Sequence, residues 1–146
     1  MSHDLRYERI VDASPERVFD AFTAPPGQEA FYGTDDPGWV VESKCDLRVD
    51  GTWAVAFGPS TDELYRHVHV FRVIDRPRRL AFDTTETRLD GSTLTFETEF
   101  LFEPQEGRTL MTVIQRGFPT AELRDEHRVG TPRAFGRFDR VVTGEA

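Results

Sequence analysis

The feature that most constrains this chain is a run of strict two-residue alternation at positions 93–104, TLTFETEFLFEP. Leu94, Phe96, Thr98, Phe100 and Phe102 share one parity, and threonine and glutamate fill much of the other. Successive side chains of a strand point to opposite faces, so this run predicts a strand with one largely apolar face. A sheet built from such strands must cover that face with another element.

Weaker alternating runs occupy most of residues 38–118 and are separated by turn residues. The Asp50-Gly51 and Asp90-Gly91 pairs and Pro77 mark three of these turns, since glycine after aspartate favours tight hairpins. A further alternating segment lies at residues 4–13. The pattern therefore predicts about six or seven strands, which short turns would connect in antiparallel fashion.

Helical signals flank this set of strands. Ser14 is a good N-cap and Pro15 suits the first helical position of a short helix, and a second short helix would end at Gly33. Residues 120–146 have helical periodicity in two parts, with a weak point at Gly130 and Pro132. The C-terminal helix is the only long element available to cover the sheet. We therefore predict a single α+β domain over residues 1–146, with a curved antiparallel sheet wrapped around that helix.

Several stretches, in this order, resemble a known superfamily. They are IVDASPERVFDAFTAP, CDLRVDGTWAV, VIDRPRRLAF and TLMTVIQRGFP. The sequence resembles the START-like (Bet v 1-like, helix-grip or SRPBCC) superfamily, and within it the bacterial homologues of the activator of the heat-shock-protein-90 ATPase. The resemblance implies a helix-grip fold, and the superfamily includes lipid carriers, hormone receptors, polyketide cyclases and aromatase-like enzymes.

The sequence departs from the family pattern at two places. Asp50 stands where the family usually has the first glycine of Gly-Gly-x-Trp. Gly130-Thr131, followed by Pro132, stands where it has Gly-Trp in the terminal helix. Loss of that large ring could enlarge a cavity beside the helix or simply change its packing.

The charge balance excludes some partners. The formal net charge is −8, so phosphate backbones and anionic membrane surfaces would be repelled on average. The N-terminal residues lack a basic segment followed by an apolar run, and no apolar stretch approaches the length that spans a bilayer. We expect a cytoplasmic protein that binds neither nucleic acid nor membrane.

Two histidines stand one residue apart in the strand-like run ELYRHVHVFRVI. His67 and His69 share a parity, and Arg66 and Arg72 lie on the other. Two arginines favour a solvent-facing side, so the histidines are predicted to face the terminal helix. There they could be buried groups with hydrogen-bonded partners, polar contacts for a ligand, or, with His127, metal ligands.

The residue pattern favours neither catalysis nor metal binding. No carboxylate with ligand spacing was identified, and the family pattern implies no metal, so neither metal nor cofactor is expected. Glu97 and Glu99 lie opposite in parity to the phenylalanines and are predicted to be in solvent. They do not form an acid/base pair with a partner at suitable spacing.

The chain has 12 phenylalanines, and rings in that number must fill a core or line a cavity. The predicted ligand-binding residues combine inward-facing rings with a few polar groups: Trp53, Tyr65, His67, His69, Phe71, Phe82, Phe96, Phe100, Gln115, His127 and Phe138. Tyr32 is a further candidate polar contact.

Three functions remain open at this point. The favoured one is binding of a small hydrophobic, aromatic or lipid-like molecule between sheet and helix. The second is a cofactor-free enzyme of cyclase or hydrolase type that uses His67, His69 and His127 for proton transfer. The third is a chaperone partner, which only the family resemblance implies. A free sheet edge could also pair two copies into a homodimer.

Overall fold

The computed structural model describes residues 3–33 and 38–144. The strands are β1 (His3–Val11), β2 (Val40–Cys45), β3 (Thr52–Ser60), β4 (Glu63–Asp75), β5 (Arg79–Thr87), β6 (Thr93–Gln105) and β7 (Arg108–Phe118). The helices are α1 (Pro15–Phe22), α2 (Pro25–Tyr32) and α3 (Ala121–Thr143). Among the described residues, none of these helices is both long and apolar enough to cross a bilayer.

The strands form one antiparallel sheet in the order β1-β7-β6-β5-β4-β3-β2. Each strand from β2 to β7 pairs with its neighbours in sequence, and only β1 pairs with a distant strand, β7. Helices α1 and α2 lie in the connection between the two edge strands. This arrangement confirms the predicted α+β helix-grip fold with seven strands, two short helices and a long C-terminal helix.

The first short helix begins where its sequence indicates. The Ser14 side chain accepts a hydrogen bond from the Arg17 backbone N–H, and Pro15 occupies the first turn. Val18, Phe19 and Phe22 are fully buried on its inner side. The spacing of these three apolar residues places them on one helical face, which covers the sheet.

Helix α3 is continuous, and the predicted division into two parts is wrong. It runs from Ala121 to Thr143 with Pro132 in its interior. The Thr131 hydroxyl donates to the His127 carbonyl, 2.7 Å away, at the turn that the proline disturbs. Packing of the helix's inner face supplies further stabilisation that local propensity does not report.

The alternation of β6 is confirmed, since all five residues of its inner parity are buried. Glu99, on the outer face, departs from expectation because it is only 8% exposed. Arg79 and Arg116 pair with its two carboxylate oxygens at 2.5 and 3.1 Å. The two arginine side chains therefore cover a carboxylate that was predicted to lie in solvent.

The interior contains two hydrophobic clusters. The larger one packs the sheet against α1 and α3 and consists of Val11, Val18, Phe19, Phe22, Trp53, Phe71, Leu80, Phe82, Phe100, Phe102, Met111, Val113, Phe135, Phe138 and Val142. The smaller one consists of Leu5, Leu94, Phe96 and Phe118. Members of both clusters line a cavity between the sheet and α3.

Asp50 has a backbone φ of 65°, in the left-handed region that favours glycine. This conformation explains why the family pattern usually carries glycine at this position. The Asp50 carboxylate contacts Arg72, 3.1 Å away on β4. Gly51 cannot be replaced as easily, because a Cβ atom there would lie 2.3 Å from the Asp46 carbonyl oxygen.

Candidate functional site

A cavity of about 420 Å³ lies between the concave face of the sheet and α3. Its walls are mainly aromatic and include Phe22, Trp53, Phe82 and Phe100 from the larger cluster and Phe96 from the smaller. The exposed residues Glu126 and Arg133 also line it, so the cavity reaches the surface beside α3. Its volume lies within the range of about 300–1,000 Å³ that is usual for small-molecule sites.

The predicted site residues can be compared with this lining. Those that line the cavity are Trp53, Tyr65, His67, His69, Phe82, Phe96, Phe100, Gln115 and His127. Phe71 and Phe138 are instead fully buried in the larger cluster and are not among the lining residues. Both residues face the interior, Phe71 from β4 and Phe138 from α3, and their rings pack against other core residues.

The two histidines face the interior, with His67 7% and His69 2% exposed. The Tyr32 hydroxyl, at the end of α2, bridges them at 2.9 Å from His67 Nδ1 and 2.8 Å from His69 Nε2. His69 Nδ1 lies 2.8 Å from the Thr84 hydroxyl. Both imidazole rings are thus held by neighbouring elements.

Glu86 lines the cavity beside His67 and connects that histidine to His127. Its Oε1 atom lies 2.6 Å from His67 Nε2 and 3.0 Å from Nε2 of His127 on α3. The register of β4 and β5 pairs His67 with Glu86 and His69 with Thr84, which explains both cross-strand contacts. Arg88 approaches the other Glu86 oxygen, Oε2, at 3.3 Å.

The hydrogen-bond partners determine which atoms donate. A carboxylate only accepts, so His67 donates from Nε2 to Glu86 and accepts at Nδ1 from the Tyr32 hydroxyl. The Tyr32 oxygen then accepts from His69 Nε2–H, and His69 Nδ1 accepts from the Thr84 hydroxyl. The result is a chain of hydrogen bonds in which each group donates to the next. It runs from Thr84 on β5 to His69, Tyr32, His67 and finally Glu86.

His127 is held between two acceptors. Its Nδ1 donates to the Leu123 carbonyl at 2.8 Å, and its Nε2 donates to Glu86. Burial alone would lower the pKa of His127, but the Glu86 carboxylate outweighs this effect and raises it. The two acceptors and the raised pKa both favour the protonated form of His127 beside Glu86.

The remaining groups of the network stay neutral, apart from the carboxylate. Burial lowers the pKa of His67 and lowers that of His69 well below its ordinary value. Burial also raises the pKa of the Tyr32 phenol well above 10. For Glu86, burial would raise the pKa, but hydrogen bonds from His127 and His67 hold it far below its ordinary value.

Glu86 was not among the predicted site residues. The signal was present, because Leu80, Phe82, Thr84 and Glu86 share one parity of β5 and all four are buried. A glutamate that continues an inward-facing parity indicates a paired buried carboxylate, since charged groups are rarely buried alone. Thr131, which replaces the family's usual tryptophan, also lines the cavity.

The fold and the cavity define a helix-grip protein with an internal polar wall. The sequence matches the family described as activator of Hsp90 ATPase homolog 1-like protein over residues 12–143. The chain therefore belongs to this family. No curated protein matches the sequence.

Solved structures share the fold. A putative uncharacterized protein from Rhizobium leguminosarum has a TM-score of 0.83 and 19% identity, with 99% of this chain and 97% of that one covered. An Arthrobacter aurescens protein has a TM-score of 0.80 and 24% identity, with 99% and 88% covered. A Chromobacterium violaceum protein has a TM-score of 0.79 and 21% identity, with 98% of each chain covered. At these identities the likeness concerns the fold alone.

Proposed function

We propose that this protein binds a small, largely aromatic molecule that carries a hydrogen-bond donor, and that it holds this molecule in the cavity between the sheet and α3. The observation that carries the proposal is an aromatic-lined space of about 420 Å³, one of whose lining residues, Gln115, has a buried side-chain oxygen without a hydrogen-bond partner. The helix-grip family to which the chain belongs is typically ligand-binding, which supports the same conclusion.

The unpaired atom is Gln115 Oε1. It is buried, lines the cavity and has no hydrogen-bond partner among the described residues. A buried acceptor without a partner costs free energy, which a ligand hydroxyl or N–H group would recover. The ligand would therefore place an apolar ring against the aromatic walls and direct its donor toward Gln115.

The hydrogen bonds that the histidines already make favour binding over catalysis. Both ring nitrogens of His67, His69 and His127 already contact protein groups. A general base needs a nitrogen within reach of the substrate proton, and none of the three offers one without breaking an internal hydrogen bond. A cyclase or hydrolase activity would require that rearrangement.

The first experiment is native mass spectrometry of protein purified without denaturation, to detect a retained small molecule. The second titrates the protein with 2-naphthol and with 2-methylnaphthalene, which differ in one hydroxyl group. The protein's two tryptophans, Trp39 and Trp53, both line the cavity, so their fluorescence should report binding. We expect 2-naphthol to bind roughly tenfold more tightly, the effect of about one hydrogen bond.

Gln115→Leu should abolish this preference for the hydroxyl while binding of 2-methylnaphthalene is retained. Gln105→Leu, at an exposed position, is the matched control and should behave as the wild type. Absence of binding by either compound, together with no retained molecule, would contradict the proposal. An unchanged preference in Gln115→Leu would contradict the role of Gln115.

A chaperone partner and a homodimer remain predictions from the family resemblance and from the free sheet edges. Calorimetric titration with a heat-shock-protein-90 domain and analytical ultracentrifugation are the respective tests. A cytoplasmic location likewise remains a prediction from the sequence.

A further inference from the structure

Three side chains from three different elements converge on one point of the cavity wall. His67 of β4, Glu86 of β5 and His127 of α3 each direct one potential ligand atom to it, and these atoms lie within 4.8 Å of one another. All three residues line the cavity. The expectation of no metal rested on the family pattern and on the lack of a carboxylate with ligand spacing, and Glu86 supplies such a carboxylate.

In each of these three residues, the second nitrogen or oxygen atom of the side chain, which points away from the shared point, contacts another protein group. His127 Nδ1 donates to the Leu123 carbonyl, and His67 Nδ1 contacts the Tyr32 hydroxyl. Arg88 holds the outer oxygen of Glu86 and is itself paired with Glu126 at 2.9 Å. Metal-binding histidines usually have their second nitrogen oriented by a carbonyl or another polar group in this way.

We propose that His67 Nε2, Glu86 Oε1 and His127 Nε2 bind a divalent transition-metal ion, with Zn²⁺ as the best match, and leave its fourth position open to the cavity. Two imidazoles and one carboxylate form a donor set that zinc accepts in sites with three protein ligands. The open position faces the space where the small molecule would lie. The inference does not depend on the proposed ligand, because the three donors are present whatever the cavity holds.

The rearrangement that the ion requires is small. Ligand atoms of a tetrahedral zinc ion lie about 3.3 Å apart, since each bond is about 2.0–2.1 Å long. The Nε2 atoms of His67 and His127 lie 2.6 and 3.0 Å from Glu86 Oε1, so each contact must lengthen by less than 1 Å. The two Nε2 atoms lie within 4.8 Å of each other, so their separation must shorten by at most about 1.5 Å.

The hydrogen-bond chain behind His67 can adapt to the ion. With the metal at Nε2, His67 would carry its proton on Nδ1 and donate to the Tyr32 oxygen. Tyr32 would then donate to His69 Nε2, and His69 Nδ1–H to the Thr84 oxygen. The Thr84 hydroxyl, which then loses His69 as an acceptor, lies 3.3 Å from the Thr98 hydroxyl and can donate to it. The reversal is possible because tyrosine, threonine and neutral histidine can each exchange the two roles.

The competing interpretation is a buried ion pair between protonated His127 and Glu86 that has only a structural role. It explains the same contacts without a metal. The two interpretations differ in what happens when a chelator-treated protein meets Zn²⁺ or Co²⁺, so metal binding itself distinguishes them.

The experiment titrates the chelator-treated protein with Zn²⁺ by calorimetry and with Co²⁺ by visible absorption. We expect one ion per chain and a cobalt spectrum of four- or five-coordinate geometry with nitrogen and oxygen ligands. In ¹⁵N-detected histidine NMR, Zn²⁺ should shift the Nε2 signals of His67 and His127 but leave those of His3 unchanged. This measurement needs no variant and so remains decisive if a variant fails to fold.

Glu86→Gln should weaken Zn²⁺ binding by about 100-fold or more, because it removes a charged ligand. His3→Gln and Glu103→Gln lie outside the cluster and are the matched controls, which should bind as the wild type. Circular dichroism would verify that each variant is folded. No binding by the wild type, binding that Glu86→Gln leaves unchanged, or a thiolate signal from Cys45 would overturn the proposal.

Discussion

The Tyr32 hydroxyl is the single atom that joins the two histidines of β4. It lies within 2.9 Å of a nitrogen on each ring, and Tyr32 comes from α2, far from β4 in sequence. The alternation of β4 predicted that both histidines face inward. The identity of their partners depends on where the end of α2 lies, which no local pattern reports.

Tyr32→Phe should destabilise the protein by roughly 1–3 kcal/mol, because His67 Nδ1 and His69 Nε2 both lose a partner in the interior. The ring contacts of Tyr32 with Trp53 and Phe57 would persist. Urea unfolding measures the change, and Tyr65→Phe on the same wall is the control, with an expected change within about 0.5 kcal/mol. Equal stability of Tyr32→Phe and wild type would contradict the bridging role.

Glu99 should contribute to the loss of stability in acid. Burial would raise its pKa, but the hydrogen bonds from Arg116 and Arg79 hold it below the ordinary value of 4.5. A lowered folded-state pKa means that the contribution is complete above about pH 4.5 and is lost as the pH falls through the folded value. Thermal unfolding between pH 6 and pH 3 should therefore show a shallower acid decline in Glu99→Gln. Glu103→Gln, an exposed control, should keep the wild-type slope.

Helix α3 is the element whose sequence pattern was most misleading. Pro132 lacks the N–H that would bond to residue 128, and this loss predicted a break. The helix continues because tertiary contacts compensate: Arg137 donates to the Ala30 and Phe31 carbonyls at the end of α2, and Asp139 pairs with Arg9 of β1. Such contacts outweigh a propensity penalty of about 3 kcal/mol.

Pro132→Ala should raise the free energy of unfolding by about 1–3 kcal/mol. The proline side chain is exposed, so the substitution removes no core packing, and it restores one helical N–H. Pro26→Ala is the matched control, since Pro26 lies in the first turn of α2, where proline is well tolerated. Urea unfolding measures both variants, and a destabilised Pro132→Ala would show that α3 needs the altered geometry.

At the scale of the whole molecule, the sheet and α3 do not fill the space between them. An unfilled cavity lowers stability, because its lining loses packing contacts. A cavity of about 420 Å³ lined by members of both hydrophobic clusters therefore agrees with the ligand-binding function that we propose.

Ala134→Leu tests this trade-off. Ala134 is buried on α3 and lines the cavity, so three added carbon atoms would occupy ligand space. We expect at least tenfold weaker binding of 2-naphthol, with the free energy of unfolding unchanged or raised by about 1 kcal/mol. Val129→Leu, on the exposed side of the same helix, should change neither quantity. Wild-type binding by Ala134→Leu would place the ligand elsewhere.

Alternation along the strands predicted the sheet, its inner face and most of the aromatic lining, because the two-residue period of a strand is a local property of the backbone. Glu86 follows the same two-residue period on the inward face of β5, although it was not among the predicted site residues. Convergence of Tyr32, Glu86 and His127 on the histidine pair was decided only by the tertiary structure. It requires the register between β4 and β5, the end of α2 and an unbroken α3, and each of these depends on contacts between residues far apart in the chain.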